Sequence, residues 1–429
     1  MKVLTTGSRG PQVQLLQLAL TRAGYEPGGT DGIFGPRTRR ALVQFQAERG
    51  LMPDGIAGVR THAALHPWYT GYAIHTVRSG DSFYRVAQRY GTTLRAVAAA
   101  NPQADPLNLR PGQRLTVPLD FYVVPSDIDY CSELVAFCCE GISARYPLVE
   151  RGEIGRSVLG RPLWVLSLGE GENRVLWNAA HHANEWITVP LLLRFTEELA
   201  RGLAFDTGLG NLEGRARDWM EGTELAVIPC VNPDGMDLVT GDLTSGQAYS
   251  AAEEIAGDFP AIPFPRGWKA NIRGVDLNLQ YPAGWEQARE IKYAQGFNRP
   301  APRDYVGEAP LSAPESLALH HFSLGFDPAL TLSYHTQGEV IYWKYLDYHP
   351  PGAQEIARRF ALVSGYVVEE TPYASGFAGY KDWFIQNFNR PGYTIEAGIG
   401  DNPLPVSQFD SIYSDNFGLL ALSLGVTRS

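Results

Sequence analysis

With 429 residues, 44% of them apolar and 11% aromatic, the chain is long enough for two or more domains with at least one large core, and it reads as globular and soluble. No run of about eighteen uninterrupted apolar residues occurs, which excludes a transmembrane helix; the opening MKVLTTGSRGPQVQ lacks the apolar stretch of a secretory signal, so no membrane insertion is expected and the localisation stays open. Residues 1–120 hold fourteen Lys/Arg against seven Asp/Glu, a net charge of +7 that leaves −17 on the remainder for a total of −10, which predicts a basic module facing an anionic polymer and an acidic body with a different task.

The stretch PQVQLLQLALTRAG predicts a first helix, with Val13, Leu16 and Leu20 on one stripe and Gly24 as its stop. An internal repeat follows: DGIFGPRT from Asp31 to Thr38 recurs as DGIAGVRT from Asp54 to Thr61. Each copy is a glycine-punctuated turn, and the intervening RTRRALVQFQAERG sets Ala41, Leu42, Phe45 and Ala47 near helical spacing. On these paired turns, residues 1–66 resemble the small helical peptidoglycan-binding domain found beside cell-wall hydrolases. PWYTGY, residues 67–72, reads as an aromatic and Pro/Gly linker.

Residues 73–119 then give a short strand at Ile74–Val77, a helix with Val86, Ala87 and Tyr90 in phase, a second helix through Leu94 and Val97, and a closing turn and strand in LRPGQRLTVP. This βααβ order, with SGDS and ANP in their places, resembles a LysM domain, which implies a hold on N-acetylglucosamine-containing glycan. His75 reads as a strand residue.

From Phe121 onward (121–429), apolar runs such as RPLWVLSLG, RVLWNAA, ELAVIPCVNP, ALTLSYH and PGYTIEAG alternate with helical stretches such as ITVPLLLRFTEELARGL. Strands apolar on both faces between helices predict an α/β domain with a mostly parallel or mixed central sheet. Its active residues are then expected at strand ends and in the loops that follow them. Cys131, Cys138, Cys139 and Cys230 lack metal spacing, and buried free thiols are expected. His320 and His321 fall in a helical pattern and read as structural.

NAAHHANEW, residues 178–186, sits directly after a predicted strand. His182 and Glu185 are three apart and His181 and Glu185 four apart; both spacings share a helical face, so spacing alone does not choose between the histidines. Further on, ALTLSYHTQG ends a strand at His335 and PGYTIEAG ends another at Glu396, with PCVNPDGM and WKANIRGVDLNLQYP between. In this order the pieces resemble the zinc carboxypeptidase family of metallopeptidases. That resemblance implies one zinc ion per chain, held by His182, Glu185 and His335. His181 becomes a supporting or packing residue.

It also implies that Glu396 is the general base, that Lys269 stands where the family has an oxyanion-stabilising arginine, and that Asn278 binds substrate. Leu279 occupies the place of the arginine that pairs with a terminal carboxylate, a contact an apolar side chain cannot make. In TPYASGFAGYKDWF, Tyr373 matches the tyrosine of a mobile loop, and Lys381 stands where side-chain specificity is set, a cation suited to an acidic substrate.

Joined to two wall-binding modules, the whole resembles the γ-D-glutamyl-meso-diaminopimelate peptidases. The expected partners are peptidoglycan glycan and stem peptides, with no nucleic acid. A carboxypeptidase of wall or other peptides would account for the catalytic motifs but not for Leu279 or the modules. A non-catalytic wall-binding protein would account for the modules but not for a complete set of ligands and base.

Overall fold

The computed structural model describes residues 1–427. Its first unit is three helices, α1 (Pro11–Arg22), α2 (Pro36–Glu48) and α3 (Val59–Thr70). Proline opens α1 and α2, where its missing N–H has no intrahelical partner to lose. The two repeated turns are latched alike, each by a buried glutamine of the preceding helix. Gln17 accepts from Gly32 N–H at 2.9 Å and donates to Asp31 and Thr38; Gln46 accepts from Gly55 N–H at 2.9 Å and donates to Asp54 and Thr61.

The segment 67–72 is not a linker. Pro67, Trp68, Tyr69 and Thr70 are the last turn of α3, Gly71 caps it in the left-handed region at φ 74°, and Tyr72 begins a strand. Burial overrides the turn-like composition: Tyr69 is fully buried and stacks on Phe137 at 5.0 Å.

The second unit is β1 (Tyr72–Thr76), α4 (Phe83–Tyr90), α5 (Leu94–Ala99) and β2 (Arg114–Pro118). Ser82 and Thr93 cap the two helices. β1 and β2 pair antiparallel from Tyr72 opposite Pro118 to Thr76 opposite Arg114, so the unit begins and ends at one place. It has its own small core of Val77, Phe83, Val86, Ala87, Val97, Leu115 and Val117. His75 lies in β1 beside Asp81 at 2.9 Å.

The large unit is an eight-stranded sheet of β3 (Val149–Arg156), β4 (Pro162–Leu168), β5 (Asn173–Ala179), β6 (Thr223–Ile228), β7 (Leu330–His335), β8 (Val340–Tyr342), β9 (Val367–Glu369) and β10 (Gly392–Glu396). The strand order is β3-β4-β6-β5-β7-β10-β8-β9. The central four run parallel, and β4 and β8 pair antiparallel at their flanks, giving a mixed sheet. Around it lie α6 (Ser132–Arg145), α7 (Thr188–Ala204), α8 (Ala216–Met220), α9 (Pro233–Val239), α10 (Gln247–Gly257), α11 (Trp285–Ala294), α12 (Pro314–Phe326), α13 (Ala353–Ser364), α14 (Tyr380–Phe388) and α15 (Phe409–Ser423).

All five strands read from the sequence in this unit are present; four of them are short runs buried along nearly their whole length, and β4 is buried at Leu163, Val165, Leu166 and Leu168. β3 was not read as a strand, and its charged VERGEIGR suits an edge, where one side faces solvent. The four cysteines are buried free thiols.

The first unit is not separate from the large one. Leu16, Phe45, Leu65 and Tyr69 belong to the same buried apolar cluster as Cys138, Ile142 and Phe195. Gly141 permits the contact: a Cβ there would lie 2.1 Å from the Thr70 carbonyl oxygen. The connecting segment is held by Glu197 of α7, fully buried, which accepts from Val123 N–H at 2.8 Å and Val124 N–H at 3.0 Å, with Arg145 3.4 Å away.

Candidate metal centre and active site

β5, β7 and β10 are neighbours in the sheet and run parallel, so their carboxyl ends open on one crevice. His335 and Glu396 are register partners at the ends of β7 and β10. After β5, Ala180 takes a left-handed φ of 55° and the chain enters a short 3-10 turn at Ala183–Glu185. The two adjacent histidines have different partners. His181 is buried, with Nε2 3.0 Å from the Tyr281 hydroxyl, whereas His182 joins Glu185 and His335.

The donor atoms converge. His182 Nδ1 lies 3.0 Å from Glu185 Oε1, His335 Nδ1 lies 2.9 Å from Glu185 Oε2, and the two Nδ1 atoms are 3.2 Å apart. Among the described residues this is the one group of three such side chains whose donor atoms all lie within 4.8 Å of one another. His182 directs Nε2 to Asp276 Oδ1 at 3.2 Å. A neutral imidazole that donates there presents a lone pair on Nδ1 to the group, the arrangement of a carboxylate–histidine–metal site.

Charge supports the same fit. Burial opposes the His182 imidazolium, yet Glu185 and Asp276 outweigh it and push its pKa up to about 9. Burial raises and the His182 and Lys269 charges lower the Glu185 pKa, with a net result well below the usual carboxylate range. These carboxylates therefore call for a cation between them. Two imidazoles and one carboxylate are the donors zinc takes in a catalytic site, with a fourth position left for water.

The sequence-derived residues are not all brought together. His182, Lys269, Asn278, Leu279, His335, Lys381 and Glu396 line one cavity of about 220 Å³. Burial raises the Glu396 pKa, with partial opposition from His335. Lys269 Nζ donates to Glu185 Oε1 at 2.9 Å, and Asn278 Oδ1 accepts from Tyr380 N–H at 3.0 Å.

Lys381 lines the wall but is 4% exposed, and its ammonium is taken up by Asp382 at 2.7 Å, the Lys344 carbonyl at 2.6 Å and the Thr371 hydroxyl at 3.1 Å. Two hydrogen bonds and one ion pair thus hold its charge inside the protein. Tyr373 is 68% exposed and packs edge-on against Phe377 at 5.1 Å. Its neighbours Pro372 and Ser375 line the cavity and it does not.

Two supporting residues carried no role in the sequence reading. Asp276 stood inside the quoted GVDLNL, but its partner His182 lies 94 positions away. Asn232, in the NPDG stretch, donates to the His181 carbonyl at 3.1 Å and the Ala270 carbonyl at 3.0 Å, tying the loop of His182 and Glu185 to the segment of Lys269. Gly235 must be glycine here, since a Cβ would lie 2.6 to 2.8 Å from Asn232, Ala270 and Ala183.

Comparison with known proteins agrees with this geometry. Residues 137–418 match the zinc carboxypeptidase family, residues 9–65 a peptidoglycan binding domain and residues 75–118 a LysM domain. The chain is 41% identical over 283 residues to gamma-D-glutamyl-L-diamino acid endopeptidase 1 of Lysinibacillus sphaericus, covering 66% of this chain and 69% of that protein. Over 67 residues it is 45% identical to the zinc D-Ala-D-Ala carboxypeptidase of Streptomyces albus G, covering 15% of this chain and 26% of that one.

The fold is shared with bovine thrombin-activatable fibrinolysis inhibitor at a TM-score of 0.53 and 19% identity, covering 70% of this chain and 97% of that one. Carboxypeptidase A of Helicoverpa armigera also gives a TM-score of 0.53, at 17% identity, over 92% of this chain and 88% of that one. With the family matched over most of the chain and a catalytic-type donor set at the matching strand ends, the protein belongs to the zinc carboxypeptidase family and is a hydrolase acting on peptide bonds.

Proposed function

We propose that the protein is a peptidoglycan hydrolase that cleaves the γ-D-glutamyl–diamino acid bond of stem peptides, with diaminopimelate as the diamino acid. The observation that carries this reading is Leu279, an apolar side chain buried to 7% exposure in the cavity wall. A peptidase that requires a free C-terminus needs a cation at that wall. The relative of Lysinibacillus sphaericus and the two N-terminal domains support a wall peptide as substrate.

His182, Glu185 and His335 would hold the zinc, which when bound supplies a Lewis acid and lowers the pKa of its water. Glu396, opposite His335 in register, accepts the proton of the attacking water at its carboxylate. Its raised pKa brings it nearer to neutral pH, where a base both stays ionised and takes protons well. Lys269 orients Glu185 and holds positive charge beside the carbonyl oxygen as it becomes negative. Asn278, fixed through Tyr380 N–H, lines the substrate's path. Tyr373 takes part only if its loop turns inward.

The test is incubation of the zinc-loaded protein with defined stem peptides and ordinary peptides, the products being identified by mass. The expected products are L-Ala-D-Glu and a fragment beginning with diaminopimelate. Release of single C-terminal residues from ordinary peptides, with stem peptides left intact, would instead establish a broad carboxypeptidase.

A further inference from the structure

Four cations line the cavity, and three are committed to internal partners. Lys269 is bound to Glu185, Lys292 is 7% exposed with its ammonium 2.6 Å from Asp304, and Lys381 is buried among Asp382, Lys344 and Thr371. The fourth, Arg303, has a side chain 44% exposed. Its Nε donates to Asp304 Oδ2 at 2.5 Å, and among the described residues neither terminal nitrogen makes a hydrogen bond.

Arg303 stands on a built platform. The Pro302 carbonyl accepts from Lys269 N–H at 2.7 Å and Ala270 N–H at 2.9 Å; Asp304 N–H donates to Asp276 Oδ2 at 3.0 Å; Asp276 N–H donates to the Tyr305 carbonyl at 2.8 Å. The backbone on both sides of Arg303 is thus tied to the segment that carries Lys269 and orients His182, and Asp304 holds Nε. Such anchoring suits a planar fork, whose two terminal N–H groups match a carboxylate geometrically.

We propose that Arg303 is the specificity residue of this site and binds a substrate carboxylate that is not part of the scissile amide. The inference rests on the stem-peptide reading above. There such a carboxylate has two sources, the free α-carboxylate of γ-linked D-glutamate and the distal carboxylate of diaminopimelate. Arg303 takes the role that the sequence assigned to Lys381, because a charge spent on three internal partners has nothing left for a ligand. The anion reader is then neither Lys381 nor the residue at the position of Leu279.

The experiment compares wild type, Arg303→Met and Arg303→Lys, each as zinc-loaded full-length protein with zinc content and melting temperature checked. The substrates are L-Ala-γ-D-Glu-diaminopimelate, its D-glutamate α-amide and its distal diaminopimelate amide. Arg303→Met should lower kcat/KM on the parent by about 10- to 100-fold, mainly through KM, as expected for a lost charge-assisted pair, with part recovered in Arg303→Lys. Against one of the two amides the substitution should cost nothing further, and that amide names the source. An equal penalty on all three substrates, or none on the parent, overturns the proposal.

If wild type leaves every stem peptide intact, the reaction assigned above fails and Arg303 is judged by binding alone. Calorimetry would then compare L-Ala-D-Glu with its α-amide, and diaminopimelate with its monoamide, on both proteins. A wild-type preference for either free acid that vanishes in Arg303→Met supports the proposal; equal binding of acid and amide by wild type overturns it.

Discussion

His182 and Glu396 sit on either side of His335 but answer to different chemistry, and substitution separates them. Glu396 is not among the converging donors, so Glu396→Gln should retain stoichiometric zinc while hydrolysis falls by orders of magnitude. His182→Ala should lose metal and activity together; metal analysis after dialysis distinguishes the two. Asp276 touches no donor position directly, yet it fixes the ring of His182 and accepts from Asn278 N–H and Asp304 N–H. Asp276→Asn should weaken zinc binding by about 10- to 100-fold, read by competition with a chelating indicator. An unchanged affinity would mean that the ring is held by packing alone.

Among the elements, α7 joins what the chain order separates. Its buried Glu197 closes the turn after β2 onto α6, and Glu197→Ala leaves two backbone N–H groups without their acceptor and the Arg145 guanidinium with the Phe121 carbonyl but no carboxylate. The expected cost is about 3 kcal/mol, measured as the shift of the denaturation midpoint, and a loss no greater than that of a surface substitution would contradict it. The local elements were legible because local signals made them: both Asp-Gly turns, the two capped helices after β1, and the apolar strands that end in His335 and Glu396. What could not be read joins distant positions. Asp276 meets His182, and Glu197 meets Val123, only after folding. The end of α3 was hidden for the opposite reason, since Pro, Gly and aromatic residues imitate a linker until Phe137 is seen to cover Tyr69.

For the molecule as a whole, the two N-terminal units differ in how they can be removed. Tyr72 and Pro118 are register partners, and Leu119 N–H donates to the Gly71 carbonyl at 2.8 Å. Replacing residues 73–117 by a short turn should therefore leave a folded protein that hydrolyses soluble peptide at near-native rate and sediments less with insoluble wall. Deleting residues 1–71 should not be tolerated, because it bares Phe137 and the apolar face of α6. Size-exclusion chromatography and peptide hydrolysis of the two deletions check both outcomes, and a monodisperse, active 72–429 fragment would refute the second.

The shared core of the first unit and the large one also sets the order in which the protein can be finished at the ribosome. Residues 72–118 can close their own core as soon as β2 has emerged. The first helices, synthesised earlier, must wait with an uncovered flank until α6 and Glu197 follow them out. The earliest part of the chain is thus among the later parts to be sealed, and in nascent chains halted where β2 has left the exit tunnel and α6 has not, protease should cut within residues 1–71 while sparing 72–118.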